Sequence, residues 1–334
     1  MKRGLEALGH RLELHPLRLR TGFHTLDRWL YNADLALRPP RHVDLVYGVD
    51  LDGFLLGRRR PPLVVSLKGV IADELKNERG WVRVLLSVQA RWERRNARRA
   101  DLVLVPTRYS EGVARRLYDL EPSKLAVLPE PIDLDGWTAR FVAAQARPRT
   151  GATVLCVARM YPRKRIVDLL EAAALLRGRV PALVVRIVGK GPEWETVRRR
   201  HQALDLGETV TLLGDVSPGQ LAEEYVSADL FCLPSVQESF GIVFLEAMAA
   251  GLAVVTCGAA AMPEVVEDGV TGVLVPPRDP AALANALEAL LGDPVRAHTM
   301  GAAGRRAVAA YGVERVAGRF LDAVRLVVGG MRSR

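Results

Sequence analysis

The sequence predicts an α/β protein of two domains, each built on a parallel sheet. Three observations carry that prediction. Short Val- and Leu-rich runs alternate with helical patterns along the chain, as in parallel sheets covered on both faces. The 334 residues amount to about two domains of roughly 150 residues. A polar stretch with Pro and Gly, Q-A-R-P-R-T-G at 145–151, reads as a linker between them.

The elements follow in chain order. Met1–Leu8 and Trp81–Ala100 read as helices, the second with Trp81, Val84, Leu85, Val88 and Trp92 on one stripe facing the core. Val43–Tyr47, Leu63–Leu67, Leu102–Val105 and Ala126–Leu128 read as strands of the first half. In the second half the strands are Thr153–Val157, Leu183–Val188, Val210–Leu213, Leu230–Leu233, Ala253–Thr256 and Val273–Val275. Ile166–Arg177 and Trp194–Leu204 are helices between them, and Val313–Val328 is a final helix expected to return to the first domain. The domains are expected at 1–145, with 313–330 packing back on it, and at 151–312, with ligands bound in a cleft between them beyond the carboxyl ends of the strands.

Composition narrows the function classes. With 49% hydrophobic residues and a mean hydropathy of +0.08, the chain is globular rather than disordered. Three cysteines (156, 232 and 257) are too few for a disulfide scaffold and lie in apolar strands. The six histidines are scattered, and no H-x-x-x-H, C-x-x-C or D-x-D element suggests a metal. There is neither a membrane-spanning run nor a signal peptide, so a cytoplasmic protein is expected. The net charge of +9 sits wholly in residues 1–150, with 27 Lys and Arg against 18 Asp and Glu; residues 151–334 hold 20 of each. Nucleic acid, an anionic membrane and an anionic substrate are the partners such a field favours.

The chemistry-bearing residues cluster after strands. P-S-V-Q-E-S-F-G-I-V-F-L-E-A-M-A-A-G (234–251) follows a strand and opens a helix whose apolar side includes Ile242, Leu245 and Met248. The N–H groups near Phe240, Gly241 and Ile242 at that helix start form an anion site. Glu238 and Glu246 beside it suit a ligand with phosphate and hydroxyls, such as a nucleotide-sugar. Either carboxylate alone also fits a solvated surface position. V-A-R-M-Y-P-R-K-R (157–165) offers Arg159 and Lys164 to a diphosphate, or forms a basic surface turn. V-G-K-G-P-E (188–193) places Gly189 and Gly191 in a loop that suits a nucleotide or a plain turn.

Taken together and in order, these elements resemble the nucleotide-sugar-binding domain of the retaining family 4 glycosyltransferases, which have the GT-B fold of two Rossmann-like domains facing a cleft. The matching residues are R-x-x-x-x-K at Arg159 and Lys164, G-x-G-P at 189–192, L-L-G-D-V at 212–216, Glu238 to Glu246, and A-M-P-E-V-V-E-D-G-V-T-G-V-L-V-P-P-R-D at 261–279. The resemblance implies that Arg159 and Lys164 hold the donor diphosphate, that Glu246 binds the ribose and that Glu238 contacts the donor hexose as a catalytic residue. It puts Gly214, Asp215 and Val216 near the base, and Ser239, Phe240, Gly241 and Ile242 at phosphate or sugar oxygens. It further implies hexosyl transfer with retained configuration, without metal or cofactor, by a front-face route in which the departing phosphate takes the acceptor proton.

The first half resembles the acceptor-side domain of the same family and departs from it in three places. M-K-R-G-L-E-A-L-G-H-R-L-E-L looks like the family's first helix and following strand, so the chain starts inside the pattern. The first strand and its Gly-rich loop are then expected to be lacking, through a start codon assigned downstream of the true one or through shortening of the enzyme. Lys68 stands where the family commonly has His, and could stabilise leaving-group charge. Glu130, in L-P-E-P-I-D, stands where the family has Asn in P-N-G-V-D. Asp73, Glu74 and Lys76 line the acceptor pocket or simply begin a surface helix.

Arg91, Arg94, Arg95, Arg98 and Arg99 cluster toward the end of helix 81–100, as a solvated basic face or as a landing patch for anionic lipid at the inner membrane. The expected acceptor is a lipid-linked or cell-envelope glycan or a small molecule, and nucleic acid is not expected. A GT-B-fold nucleotide-sugar epimerase and a non-enzymatic basic binding protein are the alternative readings.

Overall fold

The Val- and Leu-rich runs assigned to strands from 63 onward lie in two parallel sheets, and the run at 43–47 enters the first of them at Val46. The computed structural model describes residues 1–334 apart from 19, 58, 59, 147–150, 181, 333 and 334; the side chains of 326 and 328–332 are likewise outside the description. The chain divides into two compact units, Met1–Pro131 with Val313–Arg334, and Ile132–Gly312.

In the first unit, β1 (Val46–Val49), β2 (Leu63–Ser66), β3 (Leu102–Val105) and β4 (Leu125–Val127) pair in that order, all parallel. Side chains alternate across a sheet, so both of its faces need cover. Its α-helices before β4 are α1 (Lys2–Ala7), α2 (His24–Leu37), α3 (Ile71–Glu74), α4 (Gly80–Arg99) and α5 (Arg108–Tyr118). Val65, Val103 and Val105 pack with Ala97 of α4 and Val113, Ala114 and Tyr118 of α5. On the opposite face Val64, Leu102 and Leu104 meet Leu5 and Val316, Ala317, Phe320 and Val324. Leu5 belongs to the first helix, Lys2–Ala7, and the other four to the last, Val313–Arg332.

Two expectations for this unit are corrected. No strand forms at 11–14: Leu12 packs against the sheet's apolar cluster, but Leu14 stays exposed and the segment forms no ladder with a strand. The buried face of α4 is Gln89, Ala90, Glu93, Asn96 and Ala97, not the stripe of Trp81, Val84, Leu85, Val88 and Trp92, of which the last three are half-buried, with Trp92 stacked on Phe54. That face is polar because it satisfies groups brought in from elsewhere. Gln89 donates to Thr25 (2.8 Å), Glu93 accepts from the Ile71 N–H (2.9 Å), and Asn96 Nδ2 donates to the carbonyls of Asp50 and Asp52 (2.9 and 3.0 Å). Trp81 is left 70% exposed and Val84 48%.

In the second unit, β5 (Thr153–Val157), β6 (Val184–Val188), β7 (Val210–Gly214), β8 (Leu230–Leu233), β9 (Ala253–Cys257) and β10 (Gly272–Val275) form one parallel sheet ordered β10-β9-β8-β5-β6-β7. The chain runs outward from β5 to β7, then returns to the other side of β5 with β8. That reversal is where open α/β sheets bind ligands, beyond the strands' carboxyl ends. All three cysteines are buried in this sheet, and burial pushes the Cys257 thiol up to about 11.

The second unit begins earlier than the linker at 145–151 suggests. The helix Leu134–Ala143 packs into it, with Trp137 edge-on to Tyr225 at 5.5 Å and stacked on Phe141. An isolated bridge, Ile132 to Gly312, closes the unit where the chain enters and leaves it. Within the expected linker, residues 147–150 lie outside the described residues.

Candidate functional site

The carboxyl edge of the second sheet gathers the loops after β5, β6, β7 and β8. After β5 a short 3-10 turn, Pro162–Lys164, carries Lys164, and after β8 the loop 234–241 carries Glu238. Their side chains form an ion pair across the reversal between β5 and β8, with side-chain exposures of 14% and 8%. Ser235 Oγ donates to the same Glu238 oxygen at 2.7 Å, and the Val236 N–H donates to the Arg163 carbonyl at 2.9 Å. Ser235 was not singled out in the sequence; its place three residues before Glu238, directly after a strand, is the signal that marks it.

The helix Ile242–Ala250 starts beside this pair, with Gly241 as its N-cap at φ 83°. Its first turn has N–H groups without carbonyl partners inside the helix, and the dipole adds partial positive charge there. The Phe240 ring is buried edge-on to Tyr311 at 5.6 Å, so this residue offers its backbone rather than its side chain. Ile242 is 38% exposed, unlike Leu245 and Met248, and so leaves the apolar side expected of it. Ser239 is half-buried in the same loop.

Gly189 and Gly191 are explained by packing between loops. A Cβ on Gly189, whose φ is 106°, would lie 2.2 Å from the Ala158 carbonyl oxygen, and one on Gly191 would lie 2.6 Å from the Met160 nitrogen. The two loops are stitched by Met160 N–H to Lys190 O (3.1 Å) and Glu193 N–H to Met160 O (2.9 Å). Gly189 N–H donates to Gly214 O (2.7 Å), which brings in the loop bearing exposed Asp215 and half-buried Val216. Arg159 is exposed, its guanidinium 5.6 Å from the Tyr161 ring centroid. Lys190 and Trp194, close at 5.3 Å, add a cation and an aromatic face at the same edge.

Glu246, further along that helix, accepts a hydrogen bond from the Tyr225 hydroxyl at 2.9 Å. Burial pushes its carboxyl up to about 7, against the lowering effects of that bond and of Arg140.

At the carboxyl edge of the first sheet, Lys68 follows β2 and Glu130 follows β4. The Lys68 ammonium sits 2.9 and 2.8 Å from the two Glu130 oxygens, so its charge is committed to this pair. Burial pulls the ammonium down, but Tyr47, Glu130 and Asp50 outweigh it and hold Lys68 above its ordinary value. The Lys68 N–H donates to Asp50 Oδ1 at 2.8 Å, and burial raises the Asp50 carboxyl. Asp50, directly beyond β1, escaped the sequence reading; an acid at a strand's carboxyl end is its signal. Asp73 is buried, receiving Tyr109 Oη at 2.7 Å and Lys76 Nζ at 2.5 Å. Lys76 stays half-exposed there, while Glu74 lies on the same short helix, Ile71–Glu74.

The five-arginine cluster divides. Arg91, Arg94 and Arg95 are exposed. Arg98 pairs with Asp119 and donates to the Tyr118 carbonyl, and Arg99 donates to the carbonyls of Phe54 and Leu56. Those two tie α4 to its neighbours, which corrects their place in an open basic patch. Among the described residues, no group of three or more His, Cys, Asp or Glu could hold a metal ion.

Comparison with known proteins agrees with this geometry. Residues 139–307, just over half the chain, match the family described as Glycosyl transferases group 1, and residues 2–135 match Glycosyltransferase Family 4. A GDP-mannose-dependent alpha-(1-6)-phosphatidylinositol monomannoside mannosyltransferase of Mycolicibacterium smegmatis is 35% identical over 249 residues, 71% of this chain and 64% of that protein. A D-inositol 3-phosphate glycosyltransferase of Geodermatophilus obscurus is 38% identical over 212 residues, 59% of this chain and 46% of that protein. The chain thus spans less than two thirds of either relative. Sucrose-phosphate synthase from Thermosynechococcus elongatus superposes with a TM-score of 0.76 at 24% identity, covering 96% of this chain and 83% of that one. Anabaena HepE in complex with UDP and glucose gives 0.73 at 20%, covering 97% and 88%. These two show a shared fold, the GT-B arrangement of two parallel-sheet α/β domains.

Proposed function

This chain belongs to the glycosyl transferases group 1 family, and from that premise we propose that it moves a hexosyl unit from a nucleotide diphosphate sugar to an acceptor hydroxyl. The observation that carries the reading is the buried Lys164–Glu238 pair beside the start of the helix Ile242–Ala250, at the strand-order reversal of the second sheet. A cation, a helix N-terminus and a carboxylate held together there suit a ligand with both phosphates and sugar hydroxyls.

In this reading Arg159, Lys164 and the amides near Gly241 take up the charge that grows on the diphosphate as the glycosidic bond breaks. These residues supply that positive charge, so metal-independent transfer belongs to the proposal. Glu238 receives donor hexose hydroxyls, and its pairing with Lys164 and Ser235 fixes its rotamer. Glu246 receives the ribose. With Glu238 and Glu246 engaged in an ion pair and hydrogen bonds rather than set as a nucleophile and acid, retention in this reading proceeds by the front-face route, the departing phosphate taking the acceptor proton. Two relatives, one named for a phosphatidylinositol monomannoside and one for D-inositol 3-phosphate, support a polyol or glycolipid as the acceptor class.

We also propose that the first unit meets an anionic bilayer from the cytoplasmic side. Supporting it are exposed Trp81, Val82 and Val84 on α4, exposed Phe23, Leu26 and Trp29 near Thr25, which hydrogen-bonds α4 through Gln89, and the exposed Arg91, Arg94 and Arg95. Aromatic and apolar side chains beside arginines match a headgroup interface, and the positive excess of residues 1–150 matches its charge. No described helix is long and apolar enough to cross a membrane.

The transfer reading is tested by thermal shift with GDP-mannose, UDP-glucose and ADP-glucose, followed by product analysis with labelled donor. Stabilisation by one donor in the wild type, reduced in Lys164→Ala and Glu246→Ala, supports it. No stabilisation by any donor overturns it, and an epimerised donor without nucleotide release turns the assignment to an epimerase.

A further inference from the structure

Lys68 and Glu130 are 62 residues apart in the chain. In the structure their side chains meet. They project from the ends of β2 and β4, the strands on either side of β3, and the ammonium binds both carboxylate oxygens. Asp50, at the end of β1, fixes the Lys68 backbone and adds a second carboxyl group. The edge therefore presents the Asp50 and Glu130 carboxyls with an ammonium that is occupied, and the nearby Arg28 guanidinium is likewise held, by Asp52 and the Val49 carbonyl. The pair is still reachable, with side-chain exposures of 38% for Lys68 and 21% for Glu130.

A phosphate arriving here would need an available cation and would meet two carboxyl groups instead. A hydroxyl needs only an acceptor. A carboxylate offers about four lone-pair positions, and Lys68 uses one on each oxygen. We propose that Glu130 masks Lys68, so that this edge selects acceptors presenting an uncharged hydroxyl group over acceptors presenting a phosphate. The inference deepens the transferase reading and rests on it for the word acceptor; the masking itself is a property of binding.

The test is ligand-observed NMR titration of the full chain with methyl α-mannoside and with mannose 6-phosphate. Saturating nucleoside diphosphate keeps phosphate from being counted in the second unit. The wild type is expected to bind the sugar phosphate no better than the neutral glycoside. Glu130→Gln, which leaves Lys68 uncovered, gains roughly tenfold for the sugar phosphate alone, and Lys68→Met/Glu130→Gln loses that gain. A merely structural pair would lower stability in the single variant without changing the preference between ligands. A preference for the sugar phosphate in the wild type, or no gain in a folded Glu130→Gln, overturns the proposal. Glu130→Asn carries the same readout should the glutamine variant fail to fold. Absence of nucleotide-sugar binding in the wild type counts against the transferase reading and leaves the masking result to be judged by these titrations.

Discussion

The Tyr225 hydroxyl donates a 2.9 Å hydrogen bond to Glu246 Oε2, and burial nonetheless lifts that carboxyl from 4.5 to about 7. One neutral donor does not replace the water the carboxylate has lost. Glu246 therefore gives the fold a pH dependence of definite sign. Between pH 4.5 and about 7 the native state holds a proton that the unfolded chain releases, so stability falls as pH rises through that window. Glu246→Gln removes the titration and keeps an acceptor for Tyr225. It is expected to raise Tm by a few degrees at pH 8, the counterpart of roughly 1–3 kcal/mol, and to leave Tm nearly unchanged at pH 5. Thermal melts of both proteins at the two pH values check this, and equal effects at both would disprove it.

The Lys164–Glu238 pair makes a second prediction. Both side chains are largely buried, so removing one partner strands the other's charge. Lys164→Met is expected to destabilise by about 3–5 kcal/mol, read as a lower denaturation midpoint. Lys164→Met/Glu238→Gln should recover most of that loss, because no charge is left unpaired. Nucleotide-sugar binding should stay lost in the double variant. Recovery of stability without recovery of binding separates the pair's role in the fold from its role in the site.

Packing of the loops after β5 and β6 gives a third. Gly189 has φ 106°, and any Cβ there would collide with the Ala158 carbonyl oxygen. Gly189→Ala must therefore strain the backbone and also push apart loops that hydrogen bonds hold together. A loss of more than about 2 kcal/mol is expected, measurable by urea denaturation. Gly178→Ala is the control, because nothing lies within 4 Å of its Cβ position. If both substitutions cost the same, the close approach is not what requires glycine at 189.

The residues behind these predictions differ in how legible they were. Parallel strands buried on both faces must be nearly all apolar, so L-V-L-V at 102–105 and L-F-C-L at 230–233 announce themselves. The order of elements around Glu238 was equally plain, since a strand, a loop and a glycine-capped helix are local features. The face of α4 was not. Its buried polar residues are Gln89, Glu93 and Asn96, which meet the Thr25 hydroxyl and backbone groups of Ile71, Asp50 and Asp52 that only tertiary structure brings near. A hydrophobic stripe at helical spacing was the stronger local signal, and its start, Trp81 and Val84, faces outward while Leu85, Val88 and Trp92 are half-buried. The Lys68–Glu130 pair was hidden for the same reason: each residue read alone as an oddity, and only the sheet order joins them.

The exposed start of that stripe supports the last prediction. Trp81 is 70% exposed, so Trp81→Ala removes little buried surface and should leave Tm within about 1 °C. On vesicles the indole has a second environment. Its transfer to the headgroup region, together with Val82 and Val84, supplies the apolar contribution to binding, and Arg91, Arg94 and Arg95 supply the electrostatic one. Co-sedimentation with vesicles rich in phosphatidylglycerol should therefore exceed that with phosphatidylcholine. It should weaken by roughly tenfold in Trp81→Ala/Val84→Ala, and fall with salt in the wild type less steeply once the three arginines become glutamine, since each is worth about 1 kcal/mol at an anionic surface. Changing Arg98 and Arg99 instead should cost stability rather than vesicle binding, because their guanidinium groups hold carbonyls of Tyr118, Phe54 and Leu56. Equal binding to neutral and anionic vesicles, or unchanged binding in Trp81→Ala/Val84→Ala, would remove the membrane from the description of this unit and leave its exposed tryptophan without a partner.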